Sequence, residues 1–239
     1  METREILEVS RRQRLPYWPK PAYKSPEMPK KLHEIIRERF QLGPANHMTH
    51  IENLGPILQA GGVRSFNQMK GTGYKDLSNP DVQQGRAQIT VPGSRPLHDY
   101  VPLYFGFKTP MVAVNQDRNP ELIFLRVSLD ILGRPGVIIT DGNARTKGTT
   151  FQEFRSVEGM KILDVKAIQS VKYALDPEMK RRKQAEILVP DLLSFSEVLD
   201  LICFDPKAAK RVLDTVGQFG IGKSVIVNQG WYFKKLEGG

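Results

Sequence analysis

A single cysteine and four histidines among 239 residues leave this chain short of several kinds of chemistry. Cys203 stands alone in the apolar run 199–204, so no disulfide can form within the chain. A reducing compartment fits, and a small core residue is the role expected of that thiol. His47 and His50 lie three apart, a spacing that suggests a metal pair, but His33 and His98 stand apart and no second cluster of Cys, His or paired carboxylates completes a ligand set. No metal is expected. Uncharged apolar runs of about 18 residues are missing as well, and the opening METREILEVSRRQR has no apolar segment, so neither a membrane span nor a signal peptide is read and the expected location is the cytoplasm. Repeats and low-complexity tracts are also absent, so one core is expected.

Positive charge is abundant. Lys and Arg number 35 against 26 Asp and Glu, a formal net charge of +9, with an isoelectric point near 9.6. Such a balance favours a polyanionic partner through phosphate neutralisation and counterion release, although it also serves solubility. Residues 1–30 form a basic arm in which Pro16, Pro19, Pro21, Pro26 and Pro29 forbid regular structure after a short amphipathic stretch at 2–14. Its Tyr17, Trp18 and Tyr23 suit either stacking on bases or wrapping along the body; wrapping is the favoured reading. Residues 31–239 then form one domain, opening with a scaffold helix whose Leu32, Ile35, Ile36 and Phe40 recur at helical spacing.

Polar chemistry concentrates in residues 46–63, NHMTHIENLGPILQAGGV. A strand over 46–49 puts His47 and Thr49 on one face, and a helix follows, begun by a Thr49–Glu52 capping box or capped later at Asn53 or Gly55 because of Pro56, and closed by Gly61 and Gly62. Residues 71–96 read as a long irregular segment carrying Arg86 and a candidate strand at 88–91. Residues 97–114 are too aromatic for a surface loop: Tyr100, Tyr104, Phe105 and Phe107 serve either a core or a wall for a planar ligand. Strands follow at 121–129 and 136–140, the second ending in the turn signal Asp141-Gly142-Asn143 and leading through a basic loop to a helix or turn at Phe151. Residues 195–203 mix helix and strand signals, 207–215 are helical, and 225–233 close as a strand.

Two stretches carry competing readings. Residues 217–224, GQFGIGKS, match the phosphate-cradling G-x-x-x-x-G-K-S letter for letter. That loop needs a strand leading in and a helix N-terminus pointing at the phosphates, whereas here a helix precedes and a strand follows, so a helix-to-strand turn is expected. Residues 180–190, KRRKQAEILVP, run four cations into a strand whose alternation puts Ala185, Ile187 and Val189 on one face and Glu186 with Leu188 on the other. Burying a lone carboxylate is costly, so Glu186 must find water, a cation or a substrate. It is either an edge-strand glutamate facing solvent or a catalytic carboxylate beside a cationic patch.

Taken in order, residues 46–54 (NHMTHIENL), 97–111 (LHDYVPLYFGFKTPM), 139–144 (ITDGNA) and Arg182 with 185–190 (AEILVP) resemble the DNA ADP-ribosyltransferase toxins of the DarT type. The resemblance spans about residues 45–190 and excludes the arm. It implies an α+β fold, a split mixed β-structure with surrounding helices, whose cleft holds NAD⁺ as co-substrate. It also implies transfer of ADP-ribose to a base of single-stranded DNA, with a macrodomain antitoxin as the partner that removes the mark. On this resemblance Glu186 is the catalytic carboxylate, Arg86 assists at the phosphates or at the reacting centre, and His47, Thr49 and Asn53 border the nicotinamide ribose, with Tyr104 added from the aromatic segment. Arg145, Lys147, Lys180, Arg181 and Lys183 are the cations expected to line the DNA phosphate track. A monomer is expected. The alternatives are an ADP-ribosyltransferase acting on RNA or protein, and a non-catalytic nucleic-acid-binding module.

Overall fold

The computed structural model describes residues 30–233, and the readings made for the proline-rich arm fall outside them. Helix α1 (Leu32–Phe40) follows its predicted stripe, burying Ile36 and ending where Gln41 turns left-handed at φ 55°. The other helices are short: α2 (Leu54–Gln59), α3 (Phe66–Met69), α4 (Pro80–Ala87), α5 (Pro110–Val114), α6 (Val165–Gln169) and α7 (Pro177–Arg182), with the longer α8 at Pro206–Gln218. The strands are β1 (Ala45–His50), β2 (Gly62–Arg64), β3 (Tyr100–Tyr104), β4 (Leu122–Val127), β5 (Ile138–Thr140), β6 (Phe151–Glu153), β7 (Glu186–Pro190), β8 (Leu192–Ser194), β9 (Val198–Cys203) and β10 (Ser224–Val227). Eight of them form one mixed sheet in the order β10-β9-β4-β1-β3-β7-β5-β6, and β2 pairs with β8. Only β9 and β10 run parallel, joined through α8.

The sheet is split between β1 and β3. Where β1 matches β4 over six register pairs and β3 matches β7 over five, β1 and β3 share only Asn46 with Tyr104. Past that pair the strands part, and a proline sits where they do. In a strand a residue's N–H and C=O point to the same side, and the Pro102 carbonyl accepts from the β1 residue His47, so the N–H that Pro102 lacks would also have faced the split.

Alternation in β7 runs as expected. Ala185, Ile187 and Val189 join the main core with Leu103, Ile123 and Leu125, while Leu188 packs in a second cluster with Tyr100 and Ile138. Both faces are covered and β7 lies between β3 and β5, so the solvent-facing edge-strand reading of Glu186 is corrected: its side chain is 0% exposed.

Other expectations needed revision. The segment read as irregular contains α4, with Asn79 Oδ1 accepting from the Asp81 amide and Pro80 opening the first turn. That helix was hidden because its interior holds Gly85 and its one buried residue is Arg86, so no apolar stripe announces it. The candidate strand at 88–91 shrinks to a single bridge between Thr90 and Pro96. Phe151 opens a strand rather than a helix, and the closing strand ends at Val227, where Asn228 starts a turn. No capping box forms at Thr49; His50 accepts from the Glu52 amide instead, and a 3₁₀ turn leads into α2. The G-x-x-x-x-G-K-S stretch is the expected helix-to-strand turn, with Lys223 Nζ donating to the carbonyls of Ser196 and Val198.

Candidate active site

Glu186 is the first residue of β7, and its backbone is fixed by Thr140, whose Oγ1 accepts from the Glu186 amide at 3.0 Å and donates to the Gly142 carbonyl at 2.7 Å. Its carboxylate is met from two sides. Arg86, on the last turn of α4, forks onto it with three contacts of 3.1–3.2 Å, and the Ala144 amide donates to Oε1 at 2.9 Å. Oε1 is therefore held by backbone and guanidinium together, and Oε2 accepts from both Nη1 and Nη2 of Arg86. Breaking such a buried pair by removing the cation would be strongly unfavourable. Tyr104 is the register partner of Glu186 on β3. Burial, and then the Glu186 charge, push its phenol well above the ordinary value against the opposing pull of Arg86, so it stays a neutral donor.

The loop over 141–150 that delivers the Ala144 amide is itself clamped. Arg181 binds Asp141 through two contacts of 2.9 and 3.1 Å and Glu178 through two of 2.9 and 2.7 Å. Its backbone carbonyl accepts from the Asn143 amide at 3.1 Å. Gly142 is required underneath, because a Cβ there would lie 2.5 Å from the guanidinium. Asn143 Nδ2 ties the loop to Gln184 at 2.9 Å, two residues before the glutamate.

His47 and Thr49 line the split. His47 Nδ1 lies 3.0 Å from the Pro102 carbonyl, which can only accept, so Nδ1 carries the proton and Nε2 of the neutral ring is an acceptor. Burial pushes this imidazole below its ordinary value, against the raising effect of the carbonyl. Thr49 Oγ1 accepts from Asn53 Nδ2 at 3.1 Å. Asn53 also exchanges two bonds with the Lys75 backbone, at 2.8 and 2.9 Å, and so pins the strap over 70–79 across the cleft. The cleft holds about 400 Å³ and takes in His47, Thr49, Asn53, Arg86 and Tyr104, with Met48, Leu77, Val101 and Met111 as apolar wall. Neutral donors and acceptors and the Arg86 guanidinium thus line one apolar hollow, and the Glu186 carboxylate paired with Arg86 is buried beside it.

The five cations expected on a phosphate track separate. Lys180, Arg145 and Lys147 are exposed, although the Arg145 side chain lies across Gly85 and donates to the Asp81 carbonyl at 3.2 Å. Arg181 is buried in its clamp. Lys183 is 1% exposed, donates to the Ile168 carbonyl at 2.9 Å and lies over the Tyr173 ring. Burial, reinforced by Lys108, pushes its ammonium down to about 8. Charge runs are normally solvated, and the sequence offers no sign that two of the four positions in 180–183 turn inward; they do so because α7 lies against α6 and the 141–150 loop. Sequence reasoning also missed Thr140, the Ala144 amide and the support of Gln83, whose Oε1 is 3.0 Å from His98. The Asp141-Gly142 turn signal was the available clue to that loop.

Residues 46–233 match the family model described as "ssDNA thymidine ADP-ribosyltransferase, DarT". A DNA ADP-ribosyl transferase of Thermus aquaticus is 33% identical over 202 residues, covering 79% of this chain and 88% of that one. The structure of Thermus sp. 2.9 DarT with ADP-ribosylated ssDNA superposes with a TM-score of 0.74 at 26% identity, covering 81% of this chain and 97% of that one. The same protein with NAD⁺ gives 0.69 at 27% identity, covering 80% and 97%. A DNA ADP-ribosyl transferase–DNA ADP-ribosyl glycohydrolase fusion protein of Thermosipho africanus is 26% identical over 180 residues, 73% of this chain and 46% of that one.

Proposed function

The chain belongs to the DarT family of single-stranded-DNA thymidine ADP-ribosyltransferases, and from that premise we propose that Glu186 is its catalytic carboxylate. It is an NAD⁺-dependent enzyme that transfers ADP-ribose to single-stranded DNA. The observation that carries the assignment is the environment of Glu186: a fully buried carboxylate paired with the cleft-lining Arg86 and beside the cleft-lining Tyr104, with Oε1 held by the Ala144 amide and Arg86 and Oε2 by both Nη atoms of Arg86.

NAD⁺ supplies an activated ribose whose bond to nicotinamide breaks with the electron pair leaving on the pyridine nitrogen. Positive charge then grows on the ribose, and the Glu186 carboxylate stabilises that charge more in the transition state than in the ground state. The attacking ring nitrogen of the base is a weak nucleophile that carries a proton. In this reading Glu186 takes it, a contribution of about 10² to 10⁴ in rate. Arg86 pairs with the carboxylate and orients it, and Tyr104 offers a neutral hydroxyl beside it. His47 presents the Nε2 acceptor, and Thr49 with Asn53 shapes the opposite wall, toward the nicotinamide ribose. Exposed Arg145, Lys147 and Lys180 supply the cations nearest the loop for the DNA backbone.

Thymidine is the proposed acceptor base. A macrodomain glycohydrolase that removes the mark is the proposed partner, in line with the fused relative, and the chain acts as a monomeric toxin in the cytoplasm. Labelled NAD⁺ offered to a thymidine-containing single strand, the same strand without thymidine, RNA and protein tests the acceptor. Label in the first alone is expected, and label confined to RNA or protein would overturn the DNA assignment. Expression should arrest a bacterium lacking such a glycohydrolase, whereas Glu186→Ala should be tolerated.

A further inference from the structure

On the same face of the sheet as Glu186, a row of polar side chains crosses five strands through successive register partners. Glu186 sits beside Tyr104, Tyr104 beside Asn46, Asn46 beside Arg126, and Arg126 beside Asp200. The row leaves the catalytic cleft at Tyr104 and enters a second hollow of about 270 Å³, bordered by Asn46, Arg126, Phe107 and Trp231. Resting on the functional reading above, we propose that this hollow is a subsite for a nucleobase of the substrate strand flanking the acceptor.

Three observations point to a base. Phe107 is 41% exposed, and its ring stacks on Trp231 with centroids 4.9 Å apart and 19° between planes, so a flat apolar surface is left open to solvent. Every base has a π face, and stacking on such a platform tolerates sequence. Asn46 is only 3% exposed, yet its Oδ1 has no partner among the described residues. A buried carbonyl oxygen without a donor is unfavourable, and the N–H on a base edge is the donor it lacks. The hollow is also close to neutral. Arg126, over the Trp231 ring, is matched by Asp200 through two contacts of 2.6 Å, so the floor suits a base more than a phosphate, while Lys108 stands nearby over the Phe233 ring to meet the backbone. Two strand spacings, about 10 Å, separate Asn46 from Glu186, a distance within reach of a neighbouring nucleotide.

The test uses the full chain, labelled NAD⁺ and two single strands with the same acceptor, one with intact flanks and one abasic at the two positions on either side. Wild-type kcat/KM should be about tenfold or more higher for the intact strand, the usual scale of one stacked base. Phe107→Ala should lose that preference by slowing transfer to the intact strand while the abasic strand is used as before. Independently of any folding defect, oligonucleotide binding to the Trp18→Phe protein, in which Trp231 is the one indole, should quench fluorescence with the intact strand and not with the abasic one. Equal wild-type use of the two strands, or a preference that survives Phe107→Ala with no quenching, would overturn the subsite. Absence of transfer to any single strand would instead count against the enzymatic reading itself.

Discussion

Two arginine–carboxylate pairs lie on one face of the same sheet and are built differently. Arg126 and Asp200 are register partners on β4 and β9 and meet through two contacts of 2.6 Å, with side chains 27% and 12% exposed. Arg86 reaches Glu186 from a short helix 100 residues away in sequence, with contacts of 3.1–3.2 Å and the carboxylate wholly buried. The tighter pair belongs to adjacent strands and ties the sheet together. The looser pair joins a helix to a wholly buried carboxylate, whose two oxygens are filled by Arg86 and the Ala144 amide. One pair is thus shared between neighbouring strands and partly solvated, and the other is a closed contact between distant segments beside the cleft that Arg86 lines.

Replacing Arg86 by Met should have the largest effect of the variants that probe this contrast. It strands a buried carboxylate, so stability should fall by about 3–5 kcal/mol in denaturant titration and transfer by about 10²-fold or more. A stable, active Arg86→Met protein would remove the contrast. Lys183→Met tests the other inward-turned cation through pH. Its folded ammonium titrates near 8 against 10.5 unfolded, so between those values the unfolded chain binds more protons and wild-type stability should gain as pH rises. The difference between wild type and Lys183→Met should therefore shift in favour of wild type from pH 8 to 10.5, and a flat difference would contradict the burial argument. His47 moves the opposite limb: its folded value is depressed below 6.5, so its contribution should be lost as pH falls through 6.5 and the unfolded chain takes up the proton. His47→Gln should flatten that acid-side slope.

Smaller effects should follow at the structural pair and the surface. Asp200→Asn should cost about 1 kcal/mol in denaturant titration, because that pair is partly solvated. Lys147→Ala combined with Lys180→Ala should flatten the salt dependence of single-strand binding by about 0.7 for each DNA phosphate no longer neutralised. The same measurement on Arg181→Ala should instead report misplacement of the 141–150 loop, seen as a fall in kcat larger than any fall in DNA affinity.

Much of the frame was legible from local pattern. The period-two run at 185–189 assigned both faces of β7 correctly, the stripe at 32–40 marked α1, and helix-then-strand order exposed the false phosphate loop. The ordered motif blocks named His47, Thr49, Asn53 and Tyr104, which line one cleft, and Glu186, which is buried as the register partner of Tyr104. What stayed hidden depended on contacts distant in sequence. Arg86 is delivered by a helix without an apolar stripe, the amide of Ala144 has no side-chain signature, and Arg181 and Lys183 turn inward only because α6 and the 141–150 loop cover them. A charge run gives composition; which of its members meets solvent is decided by packing.

The most direct test of the central claim is single-turnover transfer of labelled ADP-ribose to a thymidine-containing single strand by folded Glu186→Gln, measured beside wild type. Glutamine keeps the shape and removes the charge and the proton acceptor. Transfer should fall by about 10³-fold or more in Glu186→Gln. Near-wild-type transfer by Glu186→Gln, with its fold verified by circular dichroism, would contradict the account.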